Sequence, residues 1–442
     1  MSTASSVHTT LSVNTSIENY DISNGKFLLK TAIDSLGIAI DSLGSPVLTV
    51  SETVTKYLTP QQITAIENAF LIRTTALRAH LAEVKRQYTM VLDAVSLRRL
   101  QRKQQNARDH YMQVEQVFDY YVDLLHTRSE RGVGPLLRGC DKICRYSIMQ
   151  GLKKLGLETP TVVCYLDRGE GASILKSGIY LWDGQKNPAA IIKVVRSAVP
   201  LPRLTSILHE CGHQAAHMTN WNKELAQILY ASIIETGGSK YLADLWSSWT
   251  SEIAADFWAL HQCNFASVMG LYEVVTGSSD RVFRMISGDP HPMAFLRVMI
   301  GLTFCKMAFG SGPWDDFMRV WQLLYPVNAT RAEPAAIANE SLPLLPAICK
   351  AISNTKMNSF LGNSLNQILP WDAASPIRIK EFLNHDLSNF RVNKGSLIDK
   401  PILALTSFRM IQMFGARSHE WIIEQMRRWL ASLNMGEKEG VN

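Results

Sequence analysis

The sequence predicts a mainly α-helical protein with a small β-sheet, a mixed α+β fold. Two observations lead to this prediction. Apolar residues recur at helical spacing through most of the chain, and short β-branched segments are concentrated between residues 130 and 200. The chain has 442 residues, 46% hydrophobic and 19% charged, as is typical of a well-packed protein of two or three domains. Its net charge of +6 is mild for this length and does not predict a nucleic-acid partner.

The N-terminal part predicts a helical hairpin or small bundle. Residues 1–25 are rich in serine and threonine and are expected to form a disordered tail, with the helical region spanning residues 26–130. Thr59 followed by Pro60 is typical of a helix start. Two apolar stripes follow: Phe70, Thr74, Leu77, Leu81, Val84, Tyr88, Val91 and Val95, then Tyr111, Val114, Val117, Phe118, Tyr121 and Leu125. This spacing predicts two helices packed on each other, which could also form a surface for a homo-oligomer or another partner.

Basic residues crowd the segment between these two stripes. They are Arg98, Arg99, Arg102, Lys103 and Arg108. We interpret them as the solvated connection between the two helices, with an acidic partner or a membrane surface as the alternative.

Residues 131–310 are expected to form the functional domain. Segments rich in β-branched and aromatic residues predict strands at 161–166, 179–182 and 190–195. An exposed edge strand, for example the one predicted at 179–182, could bind an extended peptide by main-chain hydrogen bonds. The alternative is a sheet that only supports the neighbouring helix.

The stretch from His209 to His213 fits the pattern H-E-x-x-H and is the strongest functional signal in the chain. Residues four apart on a helix lie about 40° from each other, so both imidazoles face one space and could hold one Zn²⁺. Glu210 lies beside the first histidine, where it could take a proton from water without being a ligand. An ordinary amphipathic helix with two surface histidines is the alternative interpretation.

A catalytic zinc also needs a third protein ligand and one open position. Glu252 and Asp256 lie four apart on a predicted helix rich in Trp, Phe and Leu, where an unpaired charge would be costly. Glu252 as a ligand, with Asp256 accepting a hydrogen bond from a ligand histidine, would remove that cost. A solvated acidic stripe is the alternative. His217, Glu235 and His261 are weaker candidates for the third ligand.

A loop locked by prolines supplies the last signal. Pro290 and Pro292 restrict the backbone around His291, as a positioned side chain requires, and Arg297 follows on the next helix. His291 could donate a hydrogen bond to an oxyanion, and Arg297 could hold the loop or a carboxylate. A loop histidine without a role is the alternative.

These three motifs together resemble the gluzincin metallopeptidases, in particular the family of the prenyl-protein endopeptidases, the membrane heat-shock protease and their soluble relatives. The family pattern is H-E-x-x-H, then E-x-x-A-D, then H-P-x-x-x-x-R, which here falls at residues 209–213, 252–256 and 291–297. The resemblance covers roughly residues 150–310. It implies a zincin-like core with His209, His213 and Glu252 as zinc ligands, Glu210 as general base, and Asp256, His291 and Arg297 in supporting roles.

Residues 311–442 predict further helices packed on the catalytic domain. The seven cysteines are scattered without a C-x-x-C pair, which predicts neither a disulfide framework nor a cysteine-ligated zinc and favours a reducing cytoplasm. We expect no secretory signal and no integral membrane segment, because the chain lacks an apolar run of sufficient length.

The sequence therefore predicts a zinc-dependent metalloendopeptidase that acts on a peptide or protein substrate, with Zn²⁺ as cofactor. The alternative is a non-catalytic helical scaffold or regulatory protein that keeps a structural zinc. A fourth protein ligand, such as His217 or a cysteine, would favour that alternative.

Overall fold

The computed structural model describes residues 4–199, 202–384 and 395–433, and these are mostly helical with a three-stranded sheet. The prediction of a mainly helical α+β protein is confirmed. The chain divides into two compact units, residues 1–129 with 178–188, and residues 130–177 with 189–442. Residues 311–442 share a unit with residues 130–177 and 189–310, and residues 178–188 belong with the N-terminal helices.

The first unit consists of helices and one loop. Its helices are α1 (Ala4–Leu43), α2 (Pro46–Thr49), α3 (Glu52–Thr55), α4 (Pro60–Tyr88) and α5 (Ala94–His126). α4 begins as predicted, since Thr59 caps it in a capping box and Pro60 occupies its first turn. α1, α4 and α5 pack on one another, so the predicted helix pair is confirmed.

Residues 4–25 form the first part of α1, whose later residues Ile33, Leu36 and Ile40 are buried, and the expected disordered tail stays a prediction. Two other expectations for this unit are wrong in detail. The apolar seam is interrupted after Tyr88, and Val95 is 58% exposed. The basic residues expected in the connection lie on α5 itself, since the turn between the helices spans only residues 89–93.

Residues 178–188 form a loop of the first unit and not the strand predicted at 179–182. Gly178 and Gly184 have left-handed φ angles of 84° and 70°, which close the loop. Asp183 is buried in it and pairs with Arg73 of α4, whose Nε lies 2.5 Å from Asp183 Oδ2. The Tyr121 hydroxyl of α5 donates to Asn187 Oδ1 at 2.5 Å. An ion pair and a hydrogen bond therefore hold this segment in place. The alternation of apolar residues gave no sign of these polar contacts.

Removing one partner of this buried ion pair should destabilise the first unit strongly. Arg73→Met leaves the Asp183 carboxylate buried and unpaired, so we expect a loss of about 3–5 kcal/mol in unfolding free energy. The double variant Arg73→Met/Asp183→Leu should recover most of that loss, because neither charge remains. Amide hydrogen exchange of α4 and α5 measures both effects.

The control is the exposed pair of Arg78 with Asp41, which lie 3.1 Å apart. Arg78→Met should change the free energy of unfolding by less than about 1 kcal/mol. Equal losses in Arg73→Met and Arg78→Met would show that the buried pair has no special role.

The second unit contains the sheet and the remaining helices. Its strands are β1 (Val162–Asp167), β2 (Ser173–Leu175) and β3 (Ala190–Val195). Its helices are α6 (Gly134–Leu152), α7 (Ser206–Thr219), α8 (Trp221–Glu235), α9 (Lys240–Ser248), α10 (Thr250–Cys263), α11 (Phe265–Val275), α12 (Ser279–Val282), α13 (Ala294–Phe309), α14 (Pro313–Leu324), α15 (Ala332–Ser341), α16 (Leu345–Asn354), α17 (Leu365–Ile368), α18 (Pro376–Phe382), α19 (Gly395–Asp399), α20 (Pro401–Met413) and α21 (His419–Ser432).

The sheet has the order β1-β3-β2. β3 pairs in parallel with β1 and antiparallel with β2, so β1 and β2 are its edges. The strands predicted at 161–166 and 190–195 are confirmed, whereas β2 was missed because it has only three residues. α6 packs against β1 and α7, and α7 packs most extensively on α10.

No helix in the described ranges is both long enough and apolar enough to cross a lipid bilayer.

Candidate metal centre

Gly212 sets the distance between α7 and α10. A Cβ atom at position 212 would lie 2.6 Å from Ala255 Cα and 2.8 Å from Trp258 Cβ, so any larger residue would force the helices apart. His209 and His213 flank Gly212 on α7, and they therefore meet the first turns of α10. The absence of a side chain at one position thus brings the two motifs together.

Two imidazoles and one carboxylate converge at this crossing. His209 Nε2 lies 3.3 Å from Glu252 Oε2, and His213 Nε2 lies 3.2 Å from Glu252 Oε1. Metal–ligand bonds of about 2.0–2.1 Å in a tetrahedral zinc site separate neighbouring ligand atoms by about 3.3 Å. Each imidazole faces one oxygen of Glu252 at about this spacing, and one ligand atom from each of the three residues lies within 4.8 Å of the others, so the three residues could hold a metal ion.

Asp256 connects the first of these histidines to Arg297 of α13. His209 Nδ1 lies 2.8 Å from Asp256 Oδ1. Arg297 donates from Nε and Nη2 to the two oxygens of Asp256, each at 2.8 Å, and its Nη2 also lies 3.4 Å from Glu252 Oε2. A proton on Nδ1 facing Asp256 leaves Nε2 free as an acceptor, which is the tautomer that a metal ligand needs.

The electrostatics of the cluster favour an added positive charge. Burial alone would raise the pKa of Glu252, but its hydrogen bonds to the two histidines hold that pKa well below its usual range. Burial would also raise the pKa of Asp256, but the charge of Arg297 outweighs this effect and lowers the pKa of that carboxyl. Although burial disfavours the imidazolium, the charge of Asp256, with Glu252, raises the pKa of His209 to about 10. A bound dication would supply the positive charge that these two carboxylates favour.

Glu210 lies on the wall of a cavity beside the cluster. The cavity has a volume of about 390 Å³ and is also lined by His209, Glu252 and His291. Glu210 is 7% exposed, and burial raises the pKa of its carboxyl. Because it is distinct from the three candidate ligands, it is free to act on a molecule in the cavity.

His291 reaches the rim of the same site. Its Nε2 lies 3.6 Å from Glu252 Oε1, and its side chain is 58% exposed. Asp289 holds it, since Asp289 Oδ1 accepts from the His291 backbone N–H at 3.0 Å and lies 2.6 Å from His291 Nδ1. The ring is thus oriented by a carboxylate two residues earlier in the proline-rich loop.

Sequence reasoning missed two polar partners at this site. Ser251 Oγ lies 3.4 Å from His213 Nδ1, and Asp289 orients His291. The spacing Asp-x-His in a proline-locked loop was the available signal for Asp289. Ser251 directly precedes Glu252, but its neighbour His213 is distant in sequence, so nothing in the local pattern indicated the contact.

The weaker ligand candidates do not join the cluster. Within the part of the chain that the structure describes, only His209, His213 and Glu252 form a group with the spacing of metal ligands. His261 is buried, and its ring nitrogens face Leu369 O at 2.8 Å and Ser353 Oγ at 3.0 Å. A fourth protein ligand, which the structural-zinc alternative needs, is therefore not observed among these residues.

The chain matches no protein-family model, no curated protein and no solved structure. The resemblance to gluzincins therefore stays a prediction that depends on three motifs.

Replacing Gly212 should weaken metal binding without touching a ligand. The added methyl group of Gly212→Ala overpacks the crossing, at a cost of about 1–3 kcal/mol. It also moves His209 and His213 relative to Glu252, so zinc affinity should fall by about tenfold or more. Competition with a chelator measures that affinity. Gly37→Ala is the control, because position 37 lies in α1 near the flexible end of Leu81. Unchanged affinity in Gly212→Ala would refute this role.

Removing a candidate ligand should remove the metal. We expect bound zinc, measured by elemental analysis after dialysis, to be lost in His213→Ala and in Glu252→Ala. His217→Ala is the matched control, since His217 lies one turn further along α7 and outside the ligand group. Full zinc content in both ligand variants would exclude this metal centre.

Proposed function

We propose that this protein is a zinc-dependent metalloendopeptidase related to the gluzincins, with His209, His213 and Glu252 holding Zn²⁺ and Glu210 as general base. The observation that carries the proposal is the convergence of two imidazole nitrogens and one buried carboxylate beside a cavity that a second carboxylate also lines. Three protein ligands leave one coordination position for solvent or substrate, as in catalytic rather than structural zinc sites.

Zn²⁺, when bound, supplies Lewis acidity that polarises a carbonyl and makes water a nucleophile near neutral pH. Glu210 would take the proton of the attacking water and pass it to the leaving amine. Burial, by raising the pKa of Glu210, brings its basicity closer to the value that suits both transfers near neutral pH. One side chain, Glu210, would thus act first as the proton acceptor and then as the proton donor.

The remaining polar groups position these reactants. Arg297 and Asp256 would hold His209 in the tautomer that presents Nε2 to the metal. His291 would donate from Nε2 to the oxyanion that forms when the carbonyl is attacked, with Asp289 fixing its ring. Its exposed side chain is accessible to a substrate that enters the cavity.

An extended peptide could bind along β2. This strand forms one edge of the sheet, and the residues just before it, Gly171 and Ala172, line the cavity. Main-chain hydrogen bonds to an edge strand align a peptide irrespective of its sequence. β2 thereby takes the role expected for residues 179–182, which lie outside the sheet.

We further place the protein in a reducing compartment such as the cytoplasm. All seven cysteines are buried, and they are scattered along the chain without a C-x-x-C pair. Proteins of oxidising compartments more often have cysteines arranged as a disulfide framework.

Exchanging the proposed base tests the mechanism. Glu210→Gln keeps the size of the side chain and removes its basicity, so peptide hydrolysis should fall by about 10²–10⁴-fold while zinc content stays at the parent level. Digestion of unfolded protein followed by mass spectrometry measures the rate. Glu235→Gln, an exposed change on α8, is the control and should cleave like the parent.

Cleavage by Glu210→Gln at the parent rate would refute the role of this residue. A zinc-loaded parent that cleaves no peptide bond in a diverse peptide library would instead favour the scaffold alternative.

A further inference from the structure

Three apolar side chains are exposed in the turn between α4 and α5 and in the first turn of α5. Met90, Leu92 and Val95 are 57%, 86% and 58% exposed, and Leu92 is the most exposed large hydrophobic residue among those described. A capping box starts α5 within this turn, because Asp93 accepts from the Ser96 N–H at 2.7 Å and Ser96 accepts from the Asp93 N–H at 3.1 Å. A single exposed apolar residue is common, but three within six consecutive residues form a distinct apolar surface.

Cationic side chains follow this turn directly. Arg98, Arg99 and Arg102 occupy the first turns of α5 and are exposed. The ion pairs that described residues form along α4 and α5 use Arg73, Arg78, Arg86 and Lys103 instead. Among the side chains that the structure describes, the three arginines therefore have no ion-pair partner and are accessible to an external anion. We call Met90, Leu92, Val95, Arg98, Arg99 and Arg102 the hairpin tip.

The segments around the hairpin tip are basic. Residues 20–30 of α1 lie beside it, because Lys26 Nζ donates to Val91 O at 3.2 Å. Segments 20–30 and 83–103 contain eight Lys or Arg and three Asp or Glu, an excess of five positive charges. This local excess favours an anionic partner.

We propose that the hairpin tip is a docking site for a lipid bilayer surface that contains anionic headgroups. The apolar side chains enter the interface, while the arginines behind them contact phosphate and carboxylate groups. A nucleic acid or an acidic protein would account for the arginines, but it gives no role to a fully projecting Leu92. Exposed apolar side chains followed directly by exposed arginines therefore favour a lipid surface as the partner.

Vesicle binding by the full chain tests this proposal. The parent should sediment with vesicles of phosphatidylcholine and phosphatidylserine, bind phosphatidylcholine alone much more weakly, and be released by high salt. The triple variant Arg98→Glu/Arg99→Glu/Arg102→Glu should lower the partition coefficient by about two orders of magnitude or more. Leu92→Ser should lower it by about tenfold, because it removes an apolar group from the interface.

Two controls separate the site from general effects. Lys350→Glu/Lys380→Glu/Arg427→Glu makes the same change in net charge at exposed positions of the second unit and should bind like the parent. Leu323→Ser removes a side chain that is 79% exposed on α14 and should also bind like the parent. Circular dichroism of each variant confirms that its helices are retained.

Three results would overturn the proposal. The first is failure of the parent to bind anionic vesicles, and the second is an equal loss of binding in both triple variants. A parent that binds heparin with the same dependence on the three arginines, while Leu92→Ser leaves vesicle binding unchanged, would identify a site for soluble polyanions instead.

Discussion

The close approach of α7 and α10 at Gly212 is the constraint on which the candidate site depends. Helices packed through ordinary side chains lie about 8–10 Å apart. A residue without Cβ at the crossing lets the two histidines and Glu252 bring their donor atoms to 3.2–3.3 Å. The geometry of the cluster is thus a property of backbone packing as much as of its polar residues.

Burial of charge is tolerated at this crossing because each charged group has a partner of opposite sign or a hydrogen bond. Glu252, Asp256 and Arg297 are all at least nine-tenths buried, yet the guanidinium lies 2.8 Å from one carboxylate and 3.4 Å from the other. Removing any one of them would leave an uncompensated charge in a region of low polarity. This mutual dependence gives the site rigid walls, which a positioned reaction requires.

The sequence predicted the candidate ligands because helical periodicity converts spacing directly into direction. His209 with His213, and Glu252 with Asp256, are four apart, so their shared faces followed from the helix alone. The meeting of the two helices could not be derived this way, and the resemblance to a family supplied that expectation. Ser251 was missed because its partner His213 is distant in sequence, whereas Asp289 was missed although the local spacing Asp-x-His was an available signal. The segment 179–182 was assigned to the sheet because its real anchor, Asp183 on Arg73, joins residues 110 positions apart.

The placement of residues 178–188 with the N-terminal helices also bears on how the chain is made. A ribosome releases α4 and α5 well before it has translated Asp183, so the nascent helices carry the Arg73 guanidinium without its counter-ion for the synthesis of more than a hundred further residues. The first unit therefore reaches its final form only after β1 and β2 have emerged, and its maturation is tied to the progress of translation through the second unit.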